Sequence, residues 1–398
     1  MAVKVARTTS KSDESFEANL ERVDPQMRRQ LRGLRGRLGP TGFLGIDDLV
    51  ARRQQYEAVG QVAAQASPPA DVTREDVLLR NGTTGEGLRL RIYRPPESPI
   101  GSAPGPAVLY LHGGGMIMGG IETDDVYAAA LAAEAGLIVV AVEYRLSPEH
   151  PYPAALNDCV WALTALESEQ VAVEIDGTRL AVYGVSGGGG LAAAVALYLR
   201  DHEGPTIELL VLAAPMLDDR VAARLNHVEL GVWDAAHNAE AWGFVLGHPA
   251  GAQTVPQYAA AGRALDVSGL PPTYLDVGAL DLFLQEDLEF IQRLALAAVP
   301  IELHVYPGAY HGFDQIAPGS ASSRAARDNR VSVLRRILGP LNDLTDPDAP
   351  EVPRGNAHEL LATVGNHDRF SRRPARGWIA PEQDLEGHRP AADDRDAN

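Results

Sequence analysis

From Ala107 onward, short apolar runs alternate with stretches of helical spacing, and no other feature of the chain constrains its fold as strongly. Strands are expected over Ala107–Leu111, Leu137–Val142, Leu180–Val185 and Glu208–Ala213, with helices over Ala154–Leu166 and Gly188–Leu199 among them. Strands that alternate with helices run parallel and are joined by crossovers. Leu137–Val142 and Leu209–Leu212 are apolar at every position, the mark of strands covered on both faces. A doubly wound α/β sheet follows. Two more strands, Thr273–Val277 and Ile301–Tyr306, and a closing helix over Ser320–Leu338 complete the pattern.

The rest of the chain frames that core. Residues 1–15 have no apolar periodicity and are read as lacking fixed structure. Residues 16–66 place Leu20, Val23, Met27, Leu31 and Leu34 at helical spacing, so helices are expected there that cap the sheet. Residues 67–342 form the sheet-bearing domain, opening with strands Val72–Leu79 and Leu88–Tyr93. An insertion at about residues 216–270, helical around Trp233–Leu246, has the length of a lid. Residues 343–398, rich in Pro, Asp, Arg, Gly and Asn, read as a mostly disordered tail.

Charge and cysteine content narrow the classes of partner. A formal net charge of −18 repels phosphate backbones, so no nucleic acid is expected as a partner, and the arginines of Arg28–Arg37 are read as a solvated helix face. The single cysteine, Cys159, excludes an internal disulfide, and the first thirty residues lack a secretory apolar stretch. A cytoplasmic location is expected. The apolar runs are far shorter than the roughly 20 residues of a membrane-spanning helix, so no membrane crossing is expected.

Chemistry enters at Gly184-Val185-Ser186-Gly187-Gly188, a GxSxG turn between an expected strand and an expected helix. That context puts a serine on a sharp turn with its hydroxyl exposed above the sheet. A serine hydroxyl needs a base to take its proton and an acid to fix the base. Loops leaving the carboxyl ends of parallel strands are where such sheets carry their sites. The loop after Thr273–Val277 carries Asp281, and the loop after Ile301–Tyr306 carries His311. Ser186, Asp281 and His311 are therefore the expected nucleophile, orienting acid and base. Asp276 competes less well because it lies within a strand, and Asp287 is read as helix surface. His112-Gly113-Gly114-Gly115 follows the strand Ala107–Leu111. Amides of Gly113, Gly114, Gly115 and Gly187 are expected to hold the oxyanion of an acyl-transfer intermediate, while His112 holds the loop. Met116, Trp233 and Trp242 are expected in the substrate pocket. Glu149 and His150 are read as parts of a rigid loop, and Cys159 as a buried small hydrophobe.

Together, the HGGG run, the serine turn, Tyr144–Leu156, Pro215–Arg220 and His311-Gly312-Phe313 resemble the hormone-sensitive-lipase-like family of bacterial esterases. The likeness covers roughly Val72–Leu338. It implies an α/β-hydrolase fold, an eight-stranded mostly parallel sheet with helices on both faces and a helical cap. It also implies a serine carboxylesterase acting on small-molecule esters of short acyl chain, with no metal or organic cofactor, and pairing of two copies through the last strand or helix. The chain departs from the family at Val185, at Gly187, where an alanine is usual, and at Met116-Ile117-Met118, where an aromatic follows HGGG. A lactone or amide hydrolase, or a non-hydrolytic lyase or cyclase on the same fold, stays open as an alternative. A dinucleotide-binding reading of Gly187-x-Gly189-x-x-Ala192 lacks the acidic residue that should close the next strand.

Overall fold

The central strands form where the sequence is β-branched and apolar, and the computed structural model joins eight strands into one sheet. It describes residues 11–64, 71–80, 86–96, 104–168, 170–171, 174–202, 204–220 and 229–339; the expected tail at 343–398 lies outside them. The strands are β1 (Thr73–Arg80), β2 (Gly87–Arg94), β3 (Gly105–Leu111), β4 (Ile138–Val142), β5 (Ile175–Val185), β6 (Ile207–Ala213), β7 (Thr273–Gly278) and β8 (Ile301–Tyr306). Their spatial order is β1-β2-β4-β3-β5-β6-β7-β8. Pairing is antiparallel for β1–β2 and β2–β4 and parallel everywhere else.

Side-chain alternation along the central strands divides the core in two. In β3, Leu109 and Leu111 face one side, while Val108 and Tyr110 face the other. The first side is covered by α5 (Ala154–Glu167), α6 (Gly187–Asp201) and α8 (Leu284–Leu296), the second by α4 (Ile121–Ala135) and by α10 (Ala321–Leu338), which follows the short α9 (Phe313–Ile316). Cys159 is fully buried in α5. With both faces covered, continuous apolar runs in the middle strands are what burial requires.

The cap comes from two places in the chain. Its N-terminal part is α1 (Lys11–Leu20), α2 (Arg28–Leu38) and α3 (Leu49–Ala64). Helix α1 starts inside the span 1–15 that was expected to lack structure, because Phe16 and Leu20, one turn apart, are drawn into a cluster with Tyr306, Tyr310 and Phe313. The other part is the insertion, whose helix α7 (Ala235–Leu246) begins after Trp233. Arg52 of α3, almost wholly buried, pairs with Glu240 of α7 and fastens the two parts together. Among the described residues, no helix is long and apolar enough to cross a membrane.

Candidate active site

Strand β5 ends at Val185, and the chain reverses through Ser186 into α6. Ser186 takes a left-handed backbone (φ +53°), its N–H donates to Ala213 O at 2.8 Å, and its carbonyl accepts from Gly190 N at 3.0 Å and Met216 N at 2.9 Å. The glycines around it are a packing requirement. A Cβ on Gly188 would lie 2.3 Å from the carbonyl oxygens of Leu111 and His112, and one on Gly190 would lie 1.9 Å from that of Met216. Helix, β3 loop and β6 loop thereby close around the serine.

The three side chains expected to work together are brought into series. Ser186 Oγ is 2.9 Å from His311 Nε2, and His311 Nδ1 is 2.9 Å from Asp281 Oδ2. The other oxygen of Asp281 accepts the N–H of Phe283 at 3.0 Å, which sets the carboxylate's orientation. Phe283 also meets the His311 ring edge-on, with centroids 5.0 Å apart. Asp276 is elsewhere, bonded to Arg330 at 2.6 and 2.7 Å. The cap secures the histidine loop: Asp24 N–H donates to Gly308 O at 3.0 Å, and a side chain on Gly308 (φ +67°) would strike that nitrogen.

The glycine loop lies against the serine turn. A Cβ on Gly187 would fall 2.7 Å from Gly115 Cα and 2.8 Å from the amide nitrogens of Gly115 and Met116, so the backbone of the glycine loop packs directly on the serine turn. Gly113 differs from the expectation. Its N–H is engaged by the buried carboxyl of Asp124, which Tyr110 Oη also reaches at 3.0 Å, and burial raises the pKa of that acid. Gly113 and Gly114 line the cavity at Ser186, while Gly115 and Gly187 pack against each other. His112 packs flat on Tyr144 with centroids 4.1 Å apart, and its Nδ1–H reaches Gly113 O at 2.8 Å, which fits a role in holding the loop. Arg53 of α3 ties the loop to the cap, donating to Ile117 O at 2.8 Å and Ser147 O at 2.9 Å. Its bond to Glu149 lowers that carboxyl to about 2, so Glu149 is a structural ion.

A cavity of about 800 Å³ opens at Ser186, His311, Gly113, Gly114 and Trp233. Of the three side chains expected in its wall, Trp233 is there, its ring centroid 6.4 Å from that of His311 and its edge over Gly115. Met116 and Trp242 are not. Met116, with φ +61°, lies beside Leu156, Leu191 and Val245 at a separate small cavity, and Trp242 is 1% exposed within the cap core. Trp233 belongs to the loop before α7, where it is free to turn to the site, whereas Trp242 sits on the buried face of the helix.

Sequence reasoning missed the acids behind Asp281. Asp287, read as helix surface, is fully buried, as is Glu286. Both lie one turn before Phe290 and Ile291 on the inward face of α8, a signal the helical period carried. Glu286 Oε1 accepts Leu217 N–H at 2.6 Å and Asp218 N–H at 3.2 Å, anchoring the start of the insertion. Both oxygens of Asp287 lack a partner among the described residues. Burial, then the neighbouring Glu286 and Asp281, push the Asp287 pKa well above its ordinary value. The folded state thus keeps a proton the unfolded chain releases, and stability falls as pH rises past 3.8 until the buried group itself ionises. Asp287→Asn, which cannot ionise, is expected to gain stability over the parent increasingly from pH 5 to 8; a pH-independent difference in urea unfolding would contradict this.

A serine, an imidazole and a carboxylate in series on this sheet define a serine-hydrolase type of site on an α/β scaffold. Comparison with known proteins narrows the class. The family model for the alpha/beta hydrolase fold matches residues 108–315, and that for the carboxylesterase family matches residues 54–150. Esterase LipI of Mycobacterium tuberculosis is 35% identical over 253 residues, covering 62% of this chain and 78% of LipI. The ethyl acetate hydrolase of Pseudomonas putida is 30% identical over 285 residues, covering 70% and 86%. A solved bacterial heroin esterase superposes with a TM-score of 0.71 at 32% identity, covering 80% of this chain and 99% of that one. The chain belongs to the hormone-sensitive-lipase-like bacterial esterases of the α/β-hydrolase superfamily, a family of carboxylic ester hydrolases.

Proposed function

We propose that this protein hydrolyses short-chain carboxylic esters through an acyl-enzyme on Ser186. The observation that carries the reading is the series Ser186 Oγ, His311, Asp281, with both contacts at 2.9 Å, with the glycine loop packed against the serine turn. The ester carbonyl docks against the amides of Gly114, Gly115 and Gly187. Ser186 Oγ attacks the carbonyl carbon while His311 Nε2 takes its proton, and the oxyanion forms among donors already in place. His311 then protonates the leaving alcohol. Water, activated by the same imidazole, releases the acid and restores the serine. Asp281 holds the histidine tautomer and favours the imidazolium that forms in each half-reaction.

Trp233 is the wall that limits the acyl group. A family relative named for ethyl acetate hydrolysis is consistent with small substrates. Across p-nitrophenyl esters of rising acyl length, kcat/KM is expected to peak at short chains, and Trp233→Ala to move that peak to longer ones. Unchanged acyl preference in the variant would remove Trp233 from the pocket wall. Failure to form acid and alcohol in equal amounts would overturn hydrolysis itself, and with it separate this reading from lyase or cyclase chemistry. We also propose that the protein acts away from membranes and nucleic acid, in the cytoplasm, and pairs through β8. That edge strand exposes Ile301 and Val305, each 38% accessible.

A further inference from the structure

Helix α2 has five arginines among eleven residues, in a chain of net charge −18. Three of them already have partners. Arg28 bonds Glu21, Arg32 bonds Glu17, and Arg35 reaches Pro40 O while lying over the Phe16 ring. The other two, Arg29 and Arg37, line the cavity that contains Ser186, and neither has a hydrogen-bond or ion-pair partner among the described residues. They sit two turns apart on one face, roughly 12 Å along the axis. Between them stands Gly33, where a Cβ would meet nothing within 4 Å, so open space separates the two cations.

The carboxyl groups in the same cavity are already committed. Asp314 is bonded to Arg330 at 2.5 Å, Glu134 faces Arg327 at 3.4 Å, and Asp124 is held by Gly113 N–H and Tyr110. Two positive charges at the mouth therefore stand without a counter-ion, and the cavity, at about 800 Å³, holds far more than an acetyl ester.

Resting on the esterase reading, we propose that the substrate is an ester bearing an anionic group, a carboxylate or phosphate, remote from the scissile carbonyl. Arg29 and Arg37 receive that anion while the carbonyl lies at Ser186. Cations without a counter-ion in a cleft attract an oppositely charged substrate and speed its capture, an effect that salt weakens.

The test compares charged and neutral substrates of one shape. The acyl arm uses the p-nitrophenyl monoester of adipic acid against its neutral amide; the alcohol arm uses the acetate ester of a hydroxyhexanoic acid against its amide. A phosphate-tailed acetate ester, set against the carboxylate, identifies which anion is preferred. In at least one arm the anionic ester is expected to exceed its neutral partner in kcat/KM by roughly tenfold, less at high salt. The Arg29→Ala/Arg37→Ala double variant is expected to erase that ratio, and Arg32→Ala, whose side chain pairs with Glu17, to leave it standing. Using the ratio cancels general damage from substitution. A ratio at or below unity in both arms, or one indifferent to the double variant, overturns the inference even though neutral esters are still cleaved through Ser186. Absence of turnover on every ester would instead bring down the esterase reading, and this inference with it.

Discussion

Replacing Ser186 by alanine is expected to lower hydrolysis of a short p-nitrophenyl ester by about 10⁴-fold or more while leaving the unfolding transition in place. The fold does not depend on the hydroxyl. What holds the turn is backbone: the bonds from Ser186 N to Ala213 O and to Ser186 O from Gly190 and Met216, all of which alanine keeps. Alanine meets much the same cost as serine at φ +53°, since both carry a Cβ. The chemistry, by contrast, loses its only covalent partner. Oxyanion donors and binding would leave a residual acceleration over water, so the variant should be slow rather than inert. A variant that keeps a tenth of the parent rate would eliminate Ser186 as nucleophile. Loss of the folded state would show up in circular dichroism and would point to a structural role instead.

The largest effect on stability is expected at Arg330 of α10, which is 6% exposed. Its guanidinium donates to Asp276 at 2.6 and 2.7 Å, to Asp314 at 2.5 Å and to Tyr183 Oη at 3.3 Å. Burial opposes its charge, yet Asp276, Tyr183 and Asp314 around it outweigh that and keep its pKa well above the ordinary value. Removing one member of a buried ion pair strands the other, at about 3–5 kcal/mol. Arg330→Leu strands the fully buried Asp276 on β7, so a loss of that order is expected in urea unfolding. The double variant Arg330→Leu/Asp276→Leu should recover part of it, because the fully buried charge is gone and only the more exposed Asp314 is left without its partner. This double variant also keeps the test informative if the single one fails to accumulate. A loss below about 1 kcal/mol in the single variant would mean that water or a rearranged side chain replaces the guanidinium.

How much of this was legible in the sequence depended on whether the signal was local. The strands from β3 to β7 were read close to their observed ends, apart from the start of β5, because burial on both faces forces apolar runs, and β8 was read from its β-rich alternation. Helix α4 was not read. Its IETDDVYAAALAAEA sequence is apolar or alanine on most sides, since it lies between the sheet, α3 and α10, and such a helix shows no stripe to count. Helix α1 escaped for a different reason: its apolar residues fall only in its second half, so periodicity could not be seen ahead of Phe16.

Chain order and turn chemistry were enough to select Ser186, Asp281 and His311, because each lies where a strand has just ended, and strand ends are visible from sequence. Contacts between loops were not. Nothing local tells that Gly113 N–H is engaged by Asp124, that Trp233 reaches His311 and Gly115 while Trp242 and Met116 turn away, or that Asp287 is enclosed. Nor could the sequence divide the arginines of α2 into those bonded to Glu21 and Glu17 and those left facing the cavity. Periodic burial is a property of one segment and its neighbours along the chain, so it is written in the order of residues. Which side chain ends beside which across a cleft depends on how the cap seats on the sheet, and that is settled only when the whole chain has packed.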